Sequence, residues 1–327
     1  MMAASILVII VNYRTAALTI DALTAIMPEA ISRGDVQAII VDNGSNDGSA
    51  SFIADAITAL GASGWCSLLA LDDNRGFAGG NNAAIASYQG IAQPDHVWLI
   101  NPDTIAEPDA IGALIRFMDS HPDAGIVGGR CLWPDGRPRH SAFRFPSPIG
   151  ELVDGLAFGP LSRLLRRYQV AIGIPDRPIA VDWVSGSHLM IRGSVIAALG
   201  PMDEGYFLYF EETAYCAKAA EAGFACYHVP DSRVVHIGGQ STGVTGPARK
   251  SRRPRYWFAS RARFMIGRYG KAQTHVANLL WLLAWPPGRM LARLRGRAEP
   301  VPPGLWCDFV RYNYGISGLM YGDRAIS

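Results

Sequence analysis

Apolar residues in the first 130 positions come in short runs, each cut off by a polar or glycine-rich turn. Ile6–Val11 is apolar and mostly β-branched, and it stops at Asn12-Tyr13-Arg14. Thr15–Ile31 then carries apolar residues at helical spacing. Val36–Val41 repeats the run and stops at Asp42-Asn43-Gly44-Ser45-Asn46-Asp47-Gly48. Those residues suit a tight turn, with Ser45 to Asp47 capping a helix that reaches Leu60. Cys66–Leu71 predicts a third strand, Asp72–Gly80 a glycine-rich loop and Ala78–Gln89 a helix. Val97–Ile100 predicts a fourth strand and Pro108–Asp119 the helix after it. Apolar runs alternating with helical patterns predict an α/β fold built on a mostly parallel, doubly wound, Rossmann-like sheet with right-handed crossovers. All four strands end in polar loops, which is where such sheets bind ligands.

The regular pattern stops after Gly129. Trp133–Gly150 is rich in Pro, Gly and Arg and reads as a long loop, and Leu152–Tyr168 reads as a helix. Val181–Ile191 fits a strand entered through Trp183-Val184-Ser185-Gly186-Ser187. Phe207–Ala222 fits a helix with two adjacent acids, Glu211-Glu212. Phe224–His228 and Arg233–His236 fit two short strands. Arg249–Gly270 is basic and aromatic, and Val276–Arg297 predicts a further amphipathic helix. No internal repeat is present.

Composition and charge refine this picture. The 327 residues are 49% hydrophobic and 18% charged, which predicts a packed globular chain. Residues 1–231 carry 14 Lys and Arg against 25 Asp and Glu, whereas residues 232–327 carry 16 against 3. No acid occurs from Ser232 to Ala298. Such a tail seeks a polyanion, while the acidic remainder would repel nucleic acid. The five cysteines, Cys66, Cys131, Cys216, Cys226 and Cys307, form no CxxC and predict reduced thiols in a cytoplasmic protein. No secretory leader is visible, and Val276–Trp285 meets Pro286-Pro287 too soon to span a bilayer.

Candidate chemistry sits mostly at the strand ends. Asp103, in Asn101-Pro102-Asp103, is placed either to hold a hard divalent cation on a diphosphate or to cap the next helix. Asp42 is placed either to accept the imide N–H of a pyrimidine or to close an Asx turn. The glycines of Arg75-Gly76-Phe77-Ala78-Gly79-Gly80-Asn81-Asn82 allow a ligand to approach the backbone, and Arg75 is a candidate phosphate partner or a solvated loop charge. Glu211 and Glu212 repel one another, which raises a carboxylate toward the range of a general base; acids in a first helical turn also complement the helix dipole. His236 is a candidate metal ligand or a structural imidazole.

In order along residues 5 to about 270, these segments resemble the family 2 glycosyltransferases of GT-A fold, and among them the bacterial rhamnosyltransferase-like branch. The resemblance runs through Val11-Asn12-Tyr13-Arg14, Val41-Asp42-Asn43-Gly44-Ser45-Asn46-Asp47-Gly48-Ser49 and Asn74-Arg75-Gly76-Phe77-Ala78-Gly79-Gly80-Asn81-Asn82. It continues through Leu99-Ile100-Asn101-Pro102-Asp103, Asp182-Trp183-Val184-Ser185-Gly186, Tyr209-Phe210-Glu211-Glu212 and Val235-His236-Ile237-Gly238-Gly239-Gln240-Ser241.

The resemblance implies inverting transfer of a sugar, with dTDP-rhamnose the leading donor and UDP-hexoses compatible. The acceptor is a hydroxyl of a glycan or lipid-diphosphate-linked glycan. By that similarity Asn12, Tyr13, Arg14, Asp42, Asn43, Arg75, Gly76, Asn82, Asn101 and Asp103 serve the nucleotide sugar. Trp183, Ser185 and Gly186 border the sugar and acceptor. Asp103 holds Mn²⁺ or Mg²⁺ on the diphosphate, with His236 as a further metal ligand or a phosphate contact, and Glu212, with Glu211 beside it, is the base.

The expected organisation is a GT-A catalytic domain over 1–245, with a nucleotide-sugar half (1–130) and an acceptor half (131–245). A basic, amphipathic helical extension follows over 246–327. That extension suits peripheral contact with anionic lipid at the inner face of the plasma membrane, or packing on the catalytic domain. A homodimer is left open. The chain departs from the family pattern at Asn101, where an acid usually opens the DxD motif, at Glu212, where Asp is usual, and at Ala214 and Lys218. A nucleotidylyltransferase is disfavoured because Asn12-Tyr13-Arg14-Thr15 lacks the glycine-rich triphosphate loop. A non-catalytic nucleotide-sugar-binding scaffold is the non-enzyme alternative.

Overall fold

A computed structural model describes residues 5–88, 93–156, 158–238, 252–296 and 301–315. Gln89, Gly239-Gln240-Ser241, Arg249, Arg297 and Ala298, named above, lie outside them. In chain order the elements begin β1 (Ile6–Asn12), α1 (Ala16–Arg33), β2 (Val36–Asn43), α2 (Ser49–Ala59), β3 (Cys66–Leu71), α3 (Gly76–Ser87) and β4 (His96–Ile100). Next come β5 (Thr104–Ala106), α4 (Ala110–Ser120), β6 (Ala124–Leu132), β7 (Pro138–Arg139), β8 (Ala142–Phe143), α5 (Pro148–Leu156) and α6 (Gly159–Leu164). The chain continues through β9 (Ile179–Val181), β10 (Trp183–Val184), β11 (His188–Arg192), α7 (Gly193–Leu199), α8 (Glu211–Glu221), β12 (Ala225–His236), α9 (Arg255–Leu294) and α10 (Leu305–Tyr314).

Two units emerge, one of residues 1–143, 173–207 and 211–241, the other of 144–172, 208–210 and 242–327. In the first, β3, β2, β1 and β4 lie side by side and parallel, as the apolar runs predict. Period-2 alternation sends Ile6, Val8 and Ile10 into one buried cluster with Leu23, Ile26, Ile53, Trp98 and Leu114.

The sheet then turns mixed. β11 inserts antiparallel between β4 and β6, and β12 runs parallel to β6. The two short strands expected at 224–236 are one strand with a register shift between Val229 and Arg233. Pro230 cannot donate to the ladder, so it sits in that irregularity. The expected loop 133–150 contains β7 and β8, and the expected helix 152–168 is broken into α5, α6 and a short 3₁₀ turn at Arg166–Tyr168.

One buried hydrogen-bond chain crosses the mixed half. Trp98 Nε1 donates to His188 Nδ1 at 3.0 Å, so the proton of that ring sits on Nε2, 2.8 Å from Ser232 Oγ. Ser232 Oγ then donates to the Ala110 carbonyl at 2.6 Å. Burial, and after it the neighbouring His228, pulls the His188 pKa down to about 3, so the ring stays neutral.

In the second unit α9 is interrupted at Gly270 (φ 75°, ψ 166°). Phe258, Trp281 and Phe309 form its core. Arg261 is buried and bonded to Glu151 and, at 2.7 Å, to Asn278 Oδ1. Arg252 pairs with Asp308, and the guanidinium of Arg253 lies 4.0 Å from the centre of the Trp257 ring. Several cations of the expected basic stretch are therefore engaged inside the unit. Among the described residues no helix is long and apolar enough to cross a membrane.

Candidate functional site

The parallel register aligns Asn12 with Asp42, so the polar ends of β1 and β2 meet. Asn12 Nδ2 donates to Asp42 Oδ1 at 2.6 Å and to Ser45 Oγ at 3.2 Å. Its Oδ1 accepts from Thr15 N, Thr15 Oγ1 and Thr19 Oγ1. Asn12 is 0% exposed, so its side chain is consumed in holding Asp42 and the start of α1. Asp42 Oδ2 accepts from Ser45 N at 3.3 Å and retains acceptor capacity. Arg14, in the left-handed region at φ 58°, is fixed through its N–H to Ser45 Oγ and packs on Tyr13.

Asn43 and Asn82 are likewise committed. Asn43 donates to Asn74 Oδ1 and to the Gly76 carbonyl, and accepts from Arg75 N at 3.1 Å. Asn82 donates to the Met202 carbonyl and to Glu204 Oε1, both at 2.9 Å, and accepts from Met202 N. The amide N–H groups of all three asparagines donate to protein, and the three side chains shape the loops around Asp42. Gly76 has φ 70°, and a Cβ there would overlap the Phe207 carbonyl oxygen that accepts from Phe77 N. Its glycine serves that close backbone approach. Arg75 is half exposed and reaches Asp73 at 3.2 Å.

At the end of β4, Thr104 N donates to the Asn101 carbonyl at 3.2 Å, closing a turn with Pro102 at its second position. The turn places Asp103 just before β5. Pairing of Thr104 with His236 across β5 and β12 sets the two side chains together. His236 Nε2 lies 3.2 Å from Asp103 Oδ1, with both side chains buried. Asn101 Nδ2 is 3.5 Å from the same nitrogen, and Arg139 Nη1 is 3.3 Å from His236 Nδ1. Burial lowers the His236 pKa, but the hydrogen bonds to Asp103 and Cys131 raise it further, for a net rise.

The turn Ser185–Ser187 joins this corner to the acids. The Ser187 carbonyl accepts from Asn101 N at 3.3 Å, and Ser187 Oγ lies 2.8 Å from Ser185 Oγ. Gly186 packs against Glu212, so that a Cβ there would stand 3.6 Å from Glu212 Cβ, and its N–H favours the Glu212 anion. Trp183 stacks on Phe143 at 4.2 Å between ring centres.

The helix expected from Phe207 starts instead at Glu211, because Tyr209 and Phe210 adopt φ 70° and 69°. Two bulky residues in that region are strained. Both Glu211 Oε2 and Glu212 Oε2 are buried without a hydrogen bond. Burial and then the charge of Glu212 push Glu211 well above the usual carboxylate range. Burial also raises Glu212, but N–H groups of Glu212, Gly186 and Thr213 favour its anion. The pair therefore takes one charge more readily than two, and that charge belongs on Glu212.

Asp103 and His236 supply an oxygen and a nitrogen donor that converge, which fits two positions of the octahedral sphere of Mn²⁺ or Mg²⁺. Among the described residues no group of three or more His, Cys, Asp or Glu could hold a metal by itself. Such ions take their remaining ligands from substrate phosphates and water. Glu204 and Ser45 are contributors that sequence reasoning passes over. A Pro-Met-Asp-Glu segment ahead of the aromatic run was the signal for Glu204.

The family described as "Glycosyl transferase family 2" matches residues 5–151. An N-acetylglucosaminyl-diphospho-decaprenol L-rhamnosyltransferase of Mycobacterium tuberculosis is 31% identical over 218 residues, covering 64% of this chain and 68% of the relative. A rhamnosyltransferase of Escherichia coli K12 is 27% identical over 174 residues, covering 49% of this chain and 60% of that one. A mannosyltransferase of Pyrobaculum calidifontis, solved with GDP-Man and Mn²⁺, superposes with a TM-score of 0.55 at 16% identity, over 91% of this chain and 77% of that one. That likeness concerns the fold, and with the sheet order it gives the GT-A architecture. The chain belongs to glycosyl transferase family 2 and is a glycosyltransferase of its rhamnosyltransferase-like branch.

Proposed function

We propose that the enzyme moves rhamnose from dTDP-rhamnose to a hydroxyl of a lipid-diphosphate-linked glycan, with inversion at the anomeric carbon. Mn²⁺ or Mg²⁺ would sit on the donor diphosphate, held by Asp103 and His236. The observation that carries this reading is that one turn, Ser185–Ser187, packs against both the Asp103 corner and Glu212. The acceptor named for the mycobacterial relative, an N-acetylglucosaminyl diphospholipid, supports a lipid-linked acceptor here.

Asp42 accepts the imide N–H of thymine, with Oδ1 braced by Asn12. Arg14 and Arg75 are exposed cations at the same strand ends, suited to phosphate oxygens. A bound divalent ion would neutralise charge growing on the leaving diphosphate. Glu212, the more readily ionised of the pair, removes the acceptor proton as its oxygen attacks. Glu211 stays protonated and keeps the pair at one charge. A single in-line displacement then inverts the centre with no covalent enzyme intermediate.

The lipid-linked acceptor goes with peripheral contact at an anionic membrane, at the inner face of the plasma membrane. Asp42 reads uracil as it reads thymine, so UDP-hexoses are the competing donors. Incubation with dTDP-rhamnose or UDP-hexoses, a short-chain lipid-diphosphate acceptor and Mn²⁺ tests the reading. Rhamnosylated product that disappears with EDTA and returns with Mn²⁺ supports it. Transfer from a UDP-hexose alone, or indifference to EDTA, contradicts it.

A further inference from the structure

The second half of α9 has two apolar faces and buries only one. Ala277, Asn278, Trp281, Ala284 and Gly288 are buried. On the other side Val276, Leu279, Leu283, Met290 and Leu294 are exposed, from 43% at Leu279 to 78% at Leu294. At the helical repeat these five fall within an arc of about 60°, in a row about 27 Å long. Apolar residues scattered singly over a surface are ordinary, but an aligned row marks an interaction face.

The charges around the row have one sign. From Lys271 to Arg295 the chain carries Lys271, Arg289, Arg293 and Arg295 and no acid. The Arg295 guanidinium lies 4.7 Å from the centre of the Phe158 ring, which sets the 158–168 segment beside the end of the helix. There Leu164 is 79% exposed among Arg163, Arg166 and Arg167. A second copy docking by the same face would set arginine against arginine. An acidic, apolar-faced boundary is the complement, and a bilayer containing anionic lipid is one.

We propose that this face of α9 lies in the headgroup layer of an anionic bilayer. Val276, Leu279, Leu283, Met290 and Leu294 enter the acyl boundary, and the flanking arginines meet lipid phosphates. The inference deepens the membrane contact proposed above and rests on that reading. It assigns the contact to one helix face and not to the 252–268 stretch, whose Arg252 and Arg261 are held in ion pairs within the protein.

The test is flotation of the full chain with phosphatidylcholine vesicles, with and without phosphatidylglycerol. Wild type should float only with the anionic vesicles, and less as salt rises. The double variant Leu283→Asp, Leu294→Asp should lose flotation by about tenfold or more. Phe52→Asp, at an exposed site in the other unit, should float as wild type. Because Leu283 and Leu294 are exposed, the double variant should keep the wild-type melting temperature and its transfer to a short-chain soluble acceptor.

Equal flotation of the double variant and wild type, or no flotation of wild type, overturns the proposal. A wild-type dimer by light scattering that the double variant abolishes also overturns it. Flotation needs no catalysis. A protein that floats but transfers nothing contradicts the proposed function alone. One that transfers to soluble acceptor without floating contradicts this inference alone.

Discussion

Arg139 Nη1 lies 3.3 Å from His236 Nδ1, and the direction of that contact is fixed by chemistry. A guanidinium only donates, so Nδ1 accepts, and the ring proton sits on Nε2, aimed at Asp103 Oδ1; a metal on Nε2 would need that proton to leave and Arg139 to swing off Nδ1. Protonating Nδ1 would turn an N–H onto a cation. The Arg139 cation should therefore oppose the rise that Asp103 and Cys131 cause. Arg139→Ala should raise the His236 pKa further, read by NMR titration of the ring. An unchanged or lower value would show that the contact does not control the ring.

Asn12 braces Asp42 and the start of α1 from inside the protein. Asn12→Ala removes a donor from Asp42 Oδ1 and the acceptor of three groups on Thr15 and Thr19. Denaturant unfolding should show a loss of about 1–3 kcal/mol. Thymidine diphosphate affinity, measured calorimetrically, should fall as well. Wild-type affinity would mean that Asp42 needs no brace.

Gly76→Ala sets a Cβ against the Phe207 carbonyl and strains φ 70°. The expected cost is roughly 1–3 kcal/mol, visible as a lower melting temperature. A wild-type melting temperature would contradict the close approach of these two segments.

The acids predict a pH signature. Glu211 is raised above its ordinary value of 4.5 by burial and then by Glu212. Between 4.5 and the raised value the native protein holds a proton that the unfolded chain has lost. Stability is therefore fully present below 4.5 and falls as pH rises through that window. Glu211→Gln should be more stable than wild type at neutral pH, with the gap closing as pH falls toward 4.5. Parallel stability curves across that range would contradict the shift.

The parallel half of the fold was legible because β1, β2, β3 and β4 are apolar runs cut by turn residues, a pattern set by local chemistry. The mixed half was not. Leu189–Ile191 announces a strand, but nothing local says that it enters antiparallel between β4 and β6. Glu211-Glu212 was legible as a pair, yet the left-handed Tyr209 and Phe210 before it carry no glycine to mark them. Asp103 and His236 were each visible, while Arg139 reaches His236 only through pairing of β7 with β6. The protein bonds of Asn12, Asn43 and Asn82 were not legible, because sequence shows an amide but not what already bonds to it.

The central claim is that Glu212 carries the charge of the pair and takes the acceptor proton. Its most direct test is single-turnover rhamnose transfer by Glu212→Gln, with dTDP-rhamnose binding measured on the same protein. The account predicts transfer reduced by about a hundredfold or more with donor affinity unchanged, while Glu211→Gln stays within about tenfold of wild type. Full turnover by Glu212→Gln, or loss of transfer in Glu211→Gln alone, would contradict it.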